Sequence, residues 1–428
     1  MTERLAVLLS GELVGHLERA ASDDDPTFSY TAEYVQTGQV ALSARLPIQR
    51  SPHPAKRVKP YLFGLLPENE DARAAWSDQL GVSVDDAFGI LAAMGWDCPG
   101  AVQFCWEQDL EELRARDGEH HPVSDTEIAE RIRALADDNP SWTMPGEHWS
   151  LGGQQEKFAL AELDGRWHTA HGSAATTHIV KPGIKRLHHQ ALVEHATMEA
   201  ASAVGVDVAQ SSFARFEDQW AIVIERFDRS LSAGRVLRTH QEDFAQACGR
   251  MPAHKYESRN GPGLADMMRV LTRESTGLLD DRLALADFVI INLVAGAPDG
   301  HAKNISLLRA PGLTRVAPLY DLATGLAYDA RKVERSVALS IGGERIASRI
   351  RRHQLRKAAK TLGLDPELLI GRVAMLAEAF PKAFEDSLER LAGSAPGVQE
   401  VAERTLPALQ AHNRHVMDRL GDPTDSAT

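Results

Sequence analysis

The chain has 428 residues, with 60 acidic against 47 basic side chains and a formal net charge of −13. That length calls for two or three packed units, and 43% hydrophobic with 25% charged residues exclude disorder, collagen-like repeats and a coiled-coil rod. The acid surplus excludes a general polyanion binder and leaves room only for a local basic patch.

Residues 5–9 and 13–17 around Ser10-Gly11-Glu12, and 28–34 and 40–46 around Thr37-Gly38, read as strand pairs of a small antiparallel unit. From Tyr61 to Asp138 the period is helical, with a capping box at Ser124 and Glu127 ahead of Ile128, Ile132 and Leu135, and a stop at Asn139-Pro140. Strand patterns return at 157–163, 167–170, 178–181, 212–216 and 220–225, around one helix at 190–204 that ends on Gly205. Beyond Thr239 helix dominates, broken by 297–321, and the tail from Gly421 is polar and expected to be mobile. The N-terminal run MTERLAVLLSGELVG carries Glu3 and Glu12 and does not read as a secretory signal, and the apolar run 288–297 is interrupted by Asn292. Cys98, Cys105 and Cys248 form no CxxC pair, so neither a disulfide framework nor a cysteine-rich zinc site is expected. A cytoplasmic location follows as an expectation.

The most informative stretch is Asp299-Gly300-His301-Ala302-Lys303-Asn304, with Asp321 seventeen residues after Asn304. A carboxylate and an amide five positions apart, joined by a second carboxylate after an apolar strand, can converge on one divalent cation and one phosphate chain. In that reading Asp299 deprotonates an attacking hydroxyl, while Asn304 and Asp321 hold Mg²⁺. The same residues also read as a turn after Pro298, a hydrogen-bonded loop amide and a helix cap. Gly152-Gly153-Gln154-Gln155-Glu156-Lys157, after Ser150-Leu151, forms a glycine-bearing loop ahead of a strand whose N–H groups can approach phosphates; a simple hairpin turn is the competing reading. Lys181 ends a strand where its ammonium can reach a nucleotide, with Glu194 on the next helix as its candidate partner; two solvated surface charges are the competing reading. Glu225-Arg226-Phe227 closes the last strand, where backbone groups can meet an adenine edge and the ring can pack on it; a strand end with an ion pair and a core Phe is the competing reading.

SLGGQQEKFAL, THIVKP, VIERFDR, THQEDFAQA, NLVAGAPDGHAKN and APLYDLATG, in this order and preceded by LFGLLPEN, resemble the HipA family of toxin serine/threonine kinases. The resemblance implies an α+β, two-lobed protein-kinase-like fold: an N-terminal subdomain at 1–138, a nucleotide-binding region at 139–232, a helical lobe at 233–420 and a tail at 421–428. It implies ATP and Mg²⁺ as cofactors, Asp299 as base, Asn304 and Asp321 as metal ligands, Lys181 as phosphate contact and Gly152 through Lys157 as phosphate loop. It further implies Glu225, Arg226 and Phe227 as adenine linker, His301, Ala302, Lys303 and Asn304 as catalytic loop, Tyr320 beside the metal-binding Asp321, and Ser150 as an autophosphorylated serine. Gly152 and Gln154 stand where the commoner family form has Ala, and Val193 where it has Asn; none of these removes a catalytic group.

The implied partners are a small helix-turn-helix antitoxin, operator DNA reached mainly through it, and a protein substrate in translation such as an aminoacyl-tRNA synthetase. With antitoxin and operator the chain would associate with the nucleoid. A local contact to DNA would fall on the basic stretch 345–360, with Arg345, Arg349, Arg351, Arg352, Arg356, Lys357 and Lys360 on a helix whose other side carries Ile346, Ile350, Leu355 and Leu362; a solvated helix face is the competing reading. A small-molecule kinase on a related fold and a largely non-catalytic corepressor stay open as alternatives. The histidine pairs His120/His121 and His188/His189, with His168, His171 and His178, read as surface or core residues, since neighbours in a strand face opposite ways.

Overall fold

A computed structural model describes residues 2–21, 24–115, 118–136, 146–232, 234–331 and 333–421. The expected helix stop at Asn139-Pro140 and the polar tail beyond Gly421 lie outside the described residues. Two units form, each from separated stretches: Met1–Pro182, Ala214–Ala253 and Leu307–Thr314 make one, and Gly183–Phe213, His254–Ser306 and Arg315–Thr428 the other.

The first unit opens with a four-stranded sheet in the order Thr27–Tyr30, Glu12–Arg19, Glu3–Leu9, Val102–Trp106. Its central strand pairs Leu5 with Leu17 on one side and with Trp106 on the other. Leu5, Val7, Phe28, Tyr61, Leu62, Phe88 and Phe104 share one core with the helices Ala55–Leu65 and Ala87–Met94; burying each large apolar side chain contributes about 2 kcal/mol. The expected strand at 40–46 does not form. The Tyr30 hydroxyl donates to Leu46 O at 2.5 Å and accepts from Leu42 N at 2.7 Å, and Tyr34 donates to Val40 O at 2.9 Å, so phenols take the backbone groups that a strand partner would have used. Val102–Trp106, in a stretch read as helical, is a strand because it extends the sheet beside Glu3–Leu9.

A second sheet runs Glu119–Pro122, Arg166–His171, Phe158–Leu163, His178–Lys181, Gln219–Glu225, Ser211–Phe216, close to the expected strands. The Asp125–Ala136 helix packs Ile128, Ile132 and Leu135 on its Phe158, Val180 and Val223. The capping box is present: Ser124 N donates to Glu127 Oε2 at 2.8 Å and Glu127 N to Ser124 Oγ at 3.3 Å. The hairpin Arg229–Ser232 with Arg235–Arg238 follows the last expected strand, and the strand His240–Asp243 falls where helix was expected to begin. Glu242, fully buried, accepts from Ser43 Oγ and Ala44 N at 2.6 and 2.8 Å and pairs with Arg309 at 2.6 Å.

The second unit holds the helices Gln190–Ala203, Leu264–Glu274, Leu278–Val294, Arg352–Leu362, Pro366–Leu391 and Val398–Gly421, and a small hairpin, Ser336–Ile341 with Glu344–Ile346, that packs on Leu278–Val294 and Arg352–Leu362. Leu278–Val294 buries Leu285, Phe288, Val289, Ile290, Ile291 and Leu293, more than one face, as a central helix must. The basic stretch is helical only from Arg352; Arg345 and Ile346 belong to the hairpin, and Leu355, Ala358, Ala359 and Leu362 form the buried side. Among the described residues no helix is long and apolar enough to cross a membrane.

Candidate active site

The Asp299 loop is built on the end of the Leu278–Val294 helix. Asn292, the polar residue in that apolar run, donates from its side-chain amide to Phe288 O at 2.7 Å, and its backbone carbonyl accepts from Ala297 N at 2.9 Å. A Cβ at position 300 would lie 2.5 Å from the Asn292 side chain, so the loop can cross the helix only at a glycine. Gly300 through Ser306 are buried, whereas the Asp299 side chain keeps 59% of its surface. One carboxylate thus stands out from an otherwise sealed loop.

Hydrogen bonds fix the loop's shape. Asp299 O accepts from His301 N and from Asn304 Nδ2, both at 2.8 Å, and Asn304 N donates to His301 O at 2.9 Å. With the amide nitrogen committed to the loop, Oδ1 is the atom of Asn304 that could serve a hard cation. Tyr256, which sequence reasoning missed, donates its hydroxyl to Asp299 Oδ1 and sets its ring edge-on to His301 at 4.8 Å. His301 Nε2 lies 3.7 Å from the same carboxylate oxygen. The only advance signal for Tyr256 was an aromatic residue in the polar, aperiodic run HKYESRN.

Asp321 is brought to this loop by its neighbour. The Tyr320 hydroxyl donates to Lys303 O at 2.7 Å and shares a 2.7 Å hydrogen bond with Ser306 Oγ, gripping the residues on either side of Asn304. The preceding Leu319 is tied to 207–209 through Leu319 N to Asp207 O and Ala209 N to Leu319 O, at 2.9 and 2.8 Å. Asp321 itself has φ +60°, a left-handed conformation that Asp tolerates better than most side chains. An amide oxygen and a carboxylate are oxygen donors of the kind Mg²⁺ takes, and the Tyr320 bonds tie the backbone that carries Asp321 to the loop that carries Asn304.

The glycine-bearing loop lies in the first unit. Ser150 is fully buried: its Oγ donates to Leu65 O at 2.8 Å and its N–H to Asp97 O at 3.0 Å. Gly153 has φ +104° and accepts from Glu68 N at 2.9 Å, so the loop is docked on Leu65 through Glu68. Lys157 Nζ folds back to Gly152 O at 3.2 Å, and a Cβ on Gly153 would sit 2.9 Å from that ammonium. Phe158 pairs with Val180 in antiparallel register, so Lys157, just before one strand, and Lys181, the last residue of the other, fall at the same end of the pair.

The linker divides. Glu225 is exposed and Phe227 half-buried, but Arg226 belongs to the scaffold. Its guanidinium donates to Asp228, Asp97, Thr176 Oγ1 and Cys98 O, and its N–H donates to Thr177 O. Arg229 and Arg238 join the same Asp97 carboxylate at 2.8 and 2.9 Å. Burial alone would raise Asp97; Arg229, Arg238 and Arg226 outweigh it and hold the carboxyl well below the usual range, while burial and the neighbouring Arg226 bring Arg229 down to about 10. Glu194, buried on the Gln190–Ala203 helix, accepts from Gln190 Nε2 at 3.0 Å; its expected partner Lys181 belongs to the other unit.

Family models match in two blocks, the HipA N-terminal domain over residues 5–105 and the HipA-like C-terminal domain over 149–384. The chain belongs to the HipA family. It is 34% identical to Y4mE of Sinorhizobium fredii over 92% of this chain and 95% of that protein. It is 30% identical to the serine/threonine-protein kinase toxin HipA of Shewanella oneidensis over 90% and 89%. The fold superimposes with a TM-score of 0.85 and 25% identity on a chain of a Shewanella oneidensis complex of HipA, HipB and operator DNA, covering 99% of this chain and 100% of that one. The mixed α+β kinase fold expected from the motifs is therefore the fold found, and the chain is a HipA-family kinase. The C-terminal HipA block contains every residue from Ser150 to Asp321; the N-terminal block supplies Leu65 and Asp97, which hold Ser150 in place.

Proposed function

We propose that this HipA-family kinase uses ATP and Mg²⁺ to phosphorylate serine or threonine hydroxyls on a protein of the translation machinery, and so arrests growth as the toxin of a toxin–antitoxin pair. The observation that supports this reading is the grip of Tyr320 on Lys303 and Ser306, which ties the residue before Asp321 to the loop that carries Asn304. When bound, Mg²⁺ supplies charge neutralisation at the phosphate oxygens. Asp299, its rotation fixed by Tyr256, takes the proton of the attacking hydroxyl. Loop N–H groups from Gly152 to Glu156, with Lys157 and Lys181, bind the phosphates; Glu225 and Phe227 serve the base. An aminoacyl-tRNA synthetase is the substrate class the family resemblance favours.

Ser150 is the off-switch in this reading. A phosphate would add about −1.5 to −2 charge to a side chain that is fully buried under the Leu65 carbonyl. The modified residue could not return to that slot, and the phosphate loop attached to it would stay displaced. As partner, a HipB-like helix-turn-helix antitoxin is supported by the similar Shewanella oneidensis complex, with operator DNA reached mainly through it. Arg352 and Arg356 bond to Glu367 and Arg345 to Val337 O, so exposed Arg349, Lys357 and Lys360 are the better-placed phosphate contacts of the basic stretch.

The test is phosphate incorporation by the purified full chain with ATP and Mg²⁺. Asp299→Ala and Asp321→Asn should each lose about 10²–10⁴-fold, while Ser150→Ala should lose self-labelling and keep transfer to substrate. Undiminished incorporation in either aspartate variant refutes the assignment.

A further inference from the structure

We propose that His188, His189 and Glu400 form a binding site for a divalent transition-metal ion of the Zn²⁺ class. Adjacent histidines in a strand would diverge, but His189 caps the Gln190–Ala203 helix with φ 59° and ψ 32°, a left-handed turn. The turn brings both rings to one side, with centroids 4.0 Å apart. Gly397, φ +78°, makes the room: a Cβ there would fall 2.3 to 2.5 Å from the His189 ring. Glu400, in the first turn of Val398–Gly421, then divides its carboxylate between them, Oε1 to His188 Nδ1 at 3.1 Å and Oε2 to His189 Nε2 at 3.3 Å.

Zn–N and Zn–O bonds of about 2.0–2.2 Å in a tetrahedron set ligand atoms about 3.3 Å apart. The three residues offer one ligand atom each within 4.8 Å of one another, so small side-chain rotations complete the set. Two imidazoles and a carboxylate are a common zinc donor set, and the exposed side at His188 admits water as fourth ligand. Arg404 donates to Glu400 Oε1 at 2.9 Å and to His188 O, orienting the carboxylate as an outer-shell partner does. It also sets a like charge beside the ion, which lowers affinity and suits reversible loading. All three ligands lie in the second unit, and Glu400 lies beyond residue 384, where the family model ends. The ion would fasten the turn before the Gln190–Ala203 helix to the start of the last helix.

The experiment is calorimetric titration of tag-free full-length protein with Zn²⁺ alone, paired with thermal melts. The wild type should bind a single equivalent and gain melting temperature. Glu400→Gln and His188→Ala, both at exposed positions, should bind at least about tenfold more weakly, gain little from Zn²⁺ and melt like the wild type in chelator. His121→Gln, in another exposed pair, should bind as the wild type does. Absence of stoichiometric binding by the wild type, or undiminished binding by both site variants, overturns the proposal.

Discussion

Replacing Tyr320 by Phe isolates what one hydroxyl does. The phenol donates to Lys303 O and shares a hydrogen bond with Ser306 Oγ, each at 2.7 Å, and Ser306 is 2% exposed. Two hydrogen bonds at about 0.5–1.5 kcal/mol each, with added desolvation cost where a buried group loses its donor, give a destabilisation of roughly 2–3 kcal/mol. The ring remains, so no cavity opens. The chemical consequence is separable: Asp321 and Asn304 keep their donor atoms but lose the tether between them. Urea unfolding should show the stability loss, and kinase assays across a Mg²⁺ series should show a raised Mg²⁺ requirement with activity largely recovered at high concentration. Asp321→Asn should differ in both respects, since Asn accepts the left-handed conformation: near-normal stability, with no recovery by Mg²⁺. A Tyr320→Phe protein with wild-type stability and an unchanged Mg²⁺ dependence would refute the reasoning.

Acid should weaken the first unit in two stages. His240 donates from Nε2 to Leu42 O at 2.9 Å and accepts from Ala101 N at 3.4 Å, an arrangement open only to the neutral ring, and burial lowers it from 6.5 to about 4. Between those values the unfolded chain takes a proton that the folded one refuses, so stability falls as pH drops from 6.5 to about 4, by up to about 3 kcal/mol. His240→Gln should flatten the urea midpoint over that window. Below it the depressed Asp97 and Asp228 carboxyls take over, their contribution being lost as pH falls under 3.8. Asp97→Ala should cost about 3–5 kcal/mol, because Arg226, Arg229 and Arg238 all bond to that carboxylate; recovery of folded, soluble variant with a normal denaturation midpoint would contradict this.

The strands from 158 to 225 and the Asp299 loop were legible because local pattern and tertiary demand agree there: alternating apolar residues face one helix, and the site residues sit within short runs. What stayed hidden depends on partners far along the chain. Val102–Trp106 is a strand only because Glu3–Leu9 lies beside it, and 40–46 is irregular only because Tyr30 and Tyr34 reach it. Tyr256 meets Asp299 across 43 residues, and Arg226 meets Asp97 across 129. For Arg226-Phe227 the pattern allowed both a linker and an ion-paired strand end; Arg226 follows the second, paired with Asp97 and Asp228, while the Phe227 ring is half-buried.

The pairing of Glu242 with Arg309 bears on how the polypeptide is made. The carboxylate comes from the stretch Ala214–Ala253 and its guanidinium from Leu307–Thr314, with 66 residues between them. A ribosome delivers Glu242 well before Arg309, and a nascent first unit that closed early would bury an acid with Ser43 and Ala44 but no cation. Completion of that unit therefore waits until more than two-thirds of the protein has been synthesised, by which time the Asp299 loop has already been made. Its three separated stretches make assembly a late and concerted event, and a truncated product ending before Arg309 would be a substrate for proteases rather than a partially active kinase.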